Sequence, residues 1–204
     1  TVHILEFLDR ILPGMDSQLA AEAKRAMTKQ GLQFHLGARV QGVEIVDNLC
    51  HVHIANDKPV IADKVLVAVG RRPNTSGIGL EKAGVQLDEK GRIPVDRHFQ
   101  TNVPGIYAVG DVIDTPMLAH VAEDEGIACA EAIATGRCHV NYDAIPAVCY
   151  THPEIAAVGP TEDQLKERGV PYRKGTFSMR GNGRAHSLDR KSVVEGKSVD
   201  LGGR

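Results

Sequence analysis

Short apolar runs and one amphipathic stretch pattern the first part of the chain. Residues 2–7 (Val-His-Ile-Leu-Glu-Phe) are short, apolar and β-branched at their start, which predicts a buried strand. Asp16 or Ser17 is placed to cap a helix running to about Gln30. Leu19, Ala23 and Met27 recur every fourth residue on one face of it, and Gly31 suits the position just past its end. Gln33 to Leu36 and Arg39 to Ile45 read as further strands. Asp47-Asn48 then turns the chain into Cys50 to Ile54, where Cys50, Val52 and Ile54 alternate with His51 and His53 as on a half-buried strand.

Lys64 to Val69 is a nearly continuous apolar run, the pattern of a strand covered on both faces. Gly70-Arg-Arg-Pro-Asn74 ends it. A short helix over Leu80 to Ala83 precedes a strand near Ile93-Pro-Val95. Gly105-Ile-Tyr-Ala-Val-Gly-Asp111 reads as another strand with a Gly-Asp stop, and Leu118 to Ala134 as a helix closed by Gly136. From Ala144 onward the pattern changes to short strands and one helix. Thr161 and Gln164 form a capping box at the start of that helix, and Gly169 with Pro171 ends it. The pattern is α/β to about residue 142 and α+β after it, without internal repeats.

Composition narrows the function classes. The 204 residues carry 24 basic and 26 acidic side chains, so no global charge favours nucleic acid or an anionic membrane. The longest unbroken apolar run, Val65 to Val69, is far short of the roughly 20 residues that a membrane-spanning helix needs. With no Trp and few Phe or Tyr, base-stacking platforms are not expected. Cys50, Cys129, Cys138 and Cys149 form no C-x-x-C pair and fit neither a zinc site nor a disulfide framework, which points to a reducing compartment, the cytoplasm. The chain begins at Thr1 without a leader-like stretch, so it reads as processed or as lacking its start.

Several residues carry candidate chemistry. Glu6, near the end of the first strand, suits the ribose hydroxyls of an adenine dinucleotide and would repel the extra phosphate of NADP; the alternative is a solvated strand-end glutamate. The glycine fingerprint that should precede such a residue is absent. Gly77-x-Gly79-x-x-Lys82 fails at the third glycine and reads as a turn, and Gly196-Lys197-Ser198 lacks the first glycine of a phosphate loop. Gly110-Asp111 places a carboxylate at a strand end beside a helix start, where ligands bind in α/β folds; a simple capping role is the alternative. Backbone N–H groups of Met117 to His120 could face an electron-rich ring edge. His51 and His53 share one strand face without a third ligand. His152-Pro153-Glu154 resembles a proton-transfer pair, with a structural role as the alternative. Arg71-Arg72 suits either a phosphate clamp or a satisfied turn.

Six segments together resemble one family: Ile4-Leu-Glu-Phe7, Leu12-Pro-Gly-Met-Asp16, Val69-Gly-Arg-Arg-Pro-Asn-Thr75, Gln100-Thr-x-Val-Pro-Gly-Ile-Tyr-Ala-Val-Gly-Asp111, Met117-Leu-Ala-His120 and Tyr150-Thr-His-Pro-Glu154. The family is the flavoprotein disulfide reductases, in the NAD-linked branch that reoxidises protein-bound dihydrolipoamide. The resemblance runs from Thr1 to about Arg184. It implies part of a two-dinucleotide-domain α/β flavoprotein: the second half of an NAD domain over 1–73, the returning central, FAD-contacting domain over 74–142, and the start of an α+β dimer-interface domain over 143–188. It implies FAD and NAD as cofactors, a homodimer, and the lipoyl domain of a 2-oxo acid dehydrogenase complex as partner. Residue by residue, it implies Glu6 on the NAD adenosine ribose and Val40 and Gly70 lining the adenine and nicotinamide sides. Asp111 would lie on the ribityl chain of FAD, with Met117, Leu118, Ala119 and His120 bordering the flavin.

The family's first FAD domain, redox-active cysteine pair, NAD glycine fingerprint and catalytic His-Glu dyad do not occur in this sequence, and none of the four cysteines substitutes. The chain alone is therefore expected to be inactive, with no catalytic residue and no metal site of its own. A mercuric or glutathione-type reductase, a soluble transhydrogenase, or a non-catalytic dinucleotide-binding module remain alternatives. Residues 189–204 resemble a translated sequencing-library adapter and are expected to be a tail without fixed structure.

Overall fold

The computed structural model describes residues 1–178, residues 183 and 187, and the backbone of residues 195–200. The chain forms two compact units, one from residues 1–66 together with 146–204, the other Val67–Ile145.

The first unit opens with β1 (Val2–Glu6), α1 (Ser17–Lys29) and β2 (Leu32–Leu36). β1 and β2 pair in parallel from Val2↔Leu32 to Glu6↔Leu36, which requires a crossover, and α1 supplies it. The Asp16 carboxylate accepts the Gln18 N–H at 3.0 Å and so caps α1. Gly31, at φ 98°, lets the chain reverse into β2. Ala20, Ala23 and Met27 form the buried stripe of α1. An antiparallel meander follows: β3 (Val40–Val46), β4 (Leu49–Ile54) and β5 (Val60–Ala62). Asp47 and Asn48 both adopt positive φ, the geometry of a two-residue hairpin turn that matches strand twist.

The second unit holds α2 (Leu80–Ala83), α3 (Ala119–Thr135) and two 3₁₀ turns, Gly110–Val112 and Tyr142–Ala144. Its core gathers Val85, Ile93, Phe99, Ala108, Ile113, Ala128 and Cys129. Gly136, at φ 72°, ends α3, as its position in the sequence predicts. The Asp88 loop is tied by its own backbone. Asp88 accepts N–H bonds from Lys90 and Arg92 and pairs with the Arg92 guanidinium at 2.7 Å.

The Arg92 backbone N–H, before all else, holds the Asp88 carboxyl below its ordinary 3.8. A depressed carboxyl stabilises the fold above the unfolded-state value and loses that effect as pH falls through its lowered folded value. The Tm gap between the wild type and Asp88→Asn should therefore be open at neutral pH and close below pH 3.8. A gap that is constant from pH 7 to pH 3 would show that the Asp88 charge contributes nothing.

The chain then returns to the first unit through β6 (Pro146–Cys149) and β7 (Ile155–Val158), an antiparallel pair. α4 (Glu162–Glu167) opens with the complete capping box: Gln164 N–H to the Thr161 hydroxyl, and Thr161 N–H to the Gln164 side chain. Leu165 on α4 is buried. Ile155 of β7 packs with Ile11, Met15, Ala23 and Met27 in this unit's core. Last, β8 (Arg173–Ser178) pairs antiparallel with β9 (Glu195–Asp200).

Four expectations need correction. Lys64–Val69 is not a strand: among the described residues it has no strand partner, and Leu66, Val67 and Val69 are exposed. Ile93–Val95 forms no strand either, and the 105–109 run makes a single bridge, Gln100↔Tyr107. A strand needs a continuous row of N–H and C=O groups on a neighbour. Among the described residues 64–69 pairs with no strand, while 93–95 and 105–109 find only scattered backbone bonds: Ile93 N–H to the Val112 carbonyl, Thr101 N–H to that of Ile106 and Ala108 N–H to that of Phe99. The fourth concerns the tail, of which residues 195–200 form β9 rather than lacking structure. Ladder bonds are made by backbone groups common to nearly all residues, so the adapter-like character of the tail does not prevent it from pairing with the edge of β8. The rest of the 189–204 tail, and the family-like Asn182, Arg184 and Ala185, lie outside the described residues.

Candidate functional site

Asp111 and residues 117–120 both lie in the second unit. Asp111 is the middle residue of the Gly110–Val112 turn, which packs on α3. Gly110 holds that turn in place. Its φ is 74°, and a Cβ built on it would stand 3.0 Å from the Ala122 Cβ, so only glycine fits so close to the helix. The Ile113 N–H donates back to the Gly110 carbonyl at 3.0 Å and closes the turn.

The Asp111 side chain is 41% exposed and sits 3.3 Å from the guanidinium of Arg71, itself 73% exposed. Surface pairs of this kind contribute about 0–1 kcal/mol, so Arg71 does not lock the carboxylate against a hydroxyl ligand. Of the Arg71-Arg72 doublet, then, one member has a carboxylate partner. Gly70, beside it, is exposed at φ 110°. Leu118 caps α3 in extended geometry, and its own side chain makes no capping hydrogen bond.

Sequence reasoning missed Glu125. Its side chain is fully buried, one oxygen accepting the Gly110 N–H at 2.6 Å and the other the Tyr142 hydroxyl at 2.9 Å. Burial, then the bond to Glu125, push the Tyr142 phenol well above its ordinary value, so it stays a donor. The signal was present: Val121, Glu125, Ala128 and Cys129 form one buried helix face, and a charged residue inside such a stripe requires a partner.

Glu6 and Val40 lie in the first unit. Glu6 ends β1, and its carboxylate accepts the Leu8 N–H at 2.9 Å. Its carbonyl takes the Ala38 N–H at 2.9 Å, which draws Val40, the exposed first residue of β3, toward the same strand end.

The remaining candidates are structural. Gly77 and Gly79 both take positive φ in the turn before α2. His53 lies 3.5 Å from Glu44 across the hairpin, and among the described residues no three metal-ligating side chains converge. The His152 carbonyl accepts the Gln30 side chain at the end of α1. A crevice of about 820 Å³ in the second unit is lined by Arg92, Phe99, Thr115 and Tyr142 among others, and neither Asp111 nor residues 117–120 reach it.

The profile of the pyridine nucleotide-disulphide oxidoreductases matches residues 1–126, and that of their dimerisation domain matches residues 145–195. The chain belongs to this family. The mitochondrial dihydrolipoyl dehydrogenase of Pisum sativum is 46% identical over 193 residues, covering 92% of this chain and 38% of that protein. That of Bos taurus is 44% identical over 191 residues, covering 90% of this chain. The leghemoglobin reductase of Glycine max is 45% identical over 193 residues. The chain thus spans 37–38% of the length of the curated relatives just named.

Among solved structures, the HOCl-induced flavoprotein disulfide reductase RclA of Escherichia coli superposes with a TM-score of 0.86 at 26% identity, covering 98% of this chain and 46% of that one. LpdA of Mycobacterium tuberculosis gives 0.85 at 29% identity, covering 98% of this chain and 47% of that one. The mixed α/β fold of this family member is therefore that of the flavoprotein disulfide reductases, and its second matched segment is a dimerisation domain.

Proposed function

We propose that the full-length protein reoxidises protein-bound dihydrolipoamide with FAD and NAD. The observation that carries this reading is the Gly110–Val112 turn: its backbone is fixed against α3 while the Asp111 carboxylate stays accessible. Those residues fit a flavin. A carboxylate suits the hydroxyls of the ribityl chain, and the backbone amides at the start of a helix suit an electron-rich ring edge. Asp111 would hold the ribityl chain, and Met117, Leu118, Ala119 and His120 would border the ring. Glu6 would hold the adenosine ribose of NAD, with Val40 and Gly70 on its adenine and nicotinamide sides. Bound FAD and NAD supply the hydride and electron chemistry, and these residues bind and orient them.

The partial NAD domain, the central domain and the start of the interface domain are the finer architecture proposed for residues 1–73, 74–142 and 143–188. The unpaired apolar run at residues 65–69 supports this, because such a run suits a strand covered on both faces of a larger sheet. A homodimer and a lipoyl-domain partner follow from the same reading. All four cysteines are free, in keeping with a reducing compartment such as the cytoplasm; the mitochondrial designation belongs to the relatives that carry it. Among the described residues no helix is long and apolar enough to cross a membrane.

Asp111→Ala in the full-length protein should release flavin, since a charge-assisted contact is worth about 1.5–3 kcal/mol. Gel filtration with the flavin still bound would refute the assignment. Dihydrolipoamide-dependent reduction of NAD by the purified wild type tests the activity itself. Turnover with glutathione disulfide or mercuric ion instead would move the protein to another branch of the family.

A further inference from the structure

We propose that Glu125 is the positioning residue for flavin binding, its buried carboxylate fixing the Gly110 turn from which Asp111 is presented. The inference rests on the reading of Asp111 as the ribityl contact and adds the group that holds Asp111 in place.

Three constraints converge on Gly110. Its N–H donates to Glu125 at 2.6 Å, its carbonyl accepts the Ile113 N–H at 3.0 Å, and its Cα has no room for a side chain against Ala122. The backbone one residue before Asp111 is thereby held from three directions. By contrast, among the described residues the Asp111 carboxylate pairs with the exposed Arg71 alone, at 3.3 Å. A rigid backbone carrying an accessible carboxylate is the arrangement expected where a side chain waits for a ligand.

Glu125 is itself anchored. It lies on α3, whose Val121, Ala128 and Cys129 are buried with it, and its second oxygen takes the Tyr142 hydroxyl at 2.9 Å. Charge-assisted bonds of this kind are short and roughly twice as strong as neutral ones, and a buried carboxylate without its donors is costly. A core acid serving stability alone has no reason to choose the amide next to the ligand-facing residue. Glu125 spends one of its two oxygens there.

The test is a double-mutant cycle in the full-length protein, read as the dissociation constant for FAD titrated into apoprotein, with flavin fluorescence as signal. Glu125→Ala should raise that constant roughly tenfold, the effect of losing one charge-assisted bond. Glu125→Gln should stay within about threefold, because its carboxamide oxygen still accepts from Gly110 and its NH2 can donate to the Tyr142 oxygen. In the Asp111→Ala background, Glu125→Ala should add less than about twofold, since both residues act on one contact.

An unchanged constant in Glu125→Ala, or effects that multiply in the double variant, would overturn the proposal; the second result is what a purely structural acid gives. If Glu125→Ala does not fold, Tyr142→Phe replaces it, with about a threefold rise expected in the wild type and none beside Asp111→Ala. No rise in the wild type would then overturn the proposal. Should Asp111→Ala bind FAD like the wild type, the Asp111 reading itself fails. Should Asp111→Ala weaken binding while Glu125→Ala does not, only the role of Glu125 fails.

Discussion

A methyl group added at Gly110 should destabilise the second unit by about 2–5 kcal/mol and, in the full-length protein, release flavin. Two costs add. Holding an L-residue at φ 74° costs about 1–2 kcal/mol. The new Cβ would also stand 3.0 Å from the Ala122 Cβ, and forcing a methyl into a filled contact costs typically 1–3 kcal/mol. The backbone has little freedom to retreat, because the Gly110 N–H is bound to Glu125 and its carbonyl to Ile113. Gly136→Ala is the matched control. Its φ of 72° carries the same conformational strain, but nothing lies within 4 Å of the added Cβ. Thermal melts of the two variants should differ by several degrees, with Gly110→Ala the lower. Equal melts would show that the turn moves off α3 at no cost, and the flavin assignment would lose its rigid support.

What the sequence made legible was chemistry that neighbours in the chain decide. The Asp16 cap, the Thr161–Gln164 box, the left-handed Asp47-Asn48 turn and the Gly136 stop each need only a few residues, and all appear in the structure. Glu6 at a strand end was legible for the same reason, whereas Gly110-Asp111 opens a 3₁₀ turn rather than ending a strand. Distant partners decide the remainder. Whether 64–69, 93–95 and 105–109 become strands depends on what lies beside them, and an apolar run carries no record of that. Residues 195–200 erred in the opposite direction, because the edge of β8 supplies pairing that their own side chains do not advertise. Glu125 was hidden for a third reason. Its two donors come from residues 110 and 142, and only the fold brings them onto one helix face.

The full-length protein should favour NAD over NADP by roughly a hundredfold or more in kcat/KM, with Glu6 as the cause. The β1–α1–β2 unit places Glu6 at the carboxyl end of a parallel strand, beside Leu36 in register, where dinucleotides bind in folds of this kind. The side chain is already aimed. One carboxylate oxygen accepts the Leu8 N–H at 2.9 Å, which holds the group at the strand end and leaves the other oxygen for a ribose hydroxyl. NADP would bring a phosphate to that hydroxyl's position. Like charges brought together with loss of solvent cost several kcal/mol, and each 1.4 kcal/mol is about tenfold. Glu6→Gln keeps the hydrogen bond to Leu8 through its carboxamide oxygen and removes the charge. It should therefore narrow the preference to within about tenfold, chiefly by improving the use of NADP rather than by harming that of NAD. Equal efficiencies with both cofactors in the wild type would dismiss Glu6 as the discriminator. A preference that survives Glu6→Gln intact would place the discrimination elsewhere in the protein.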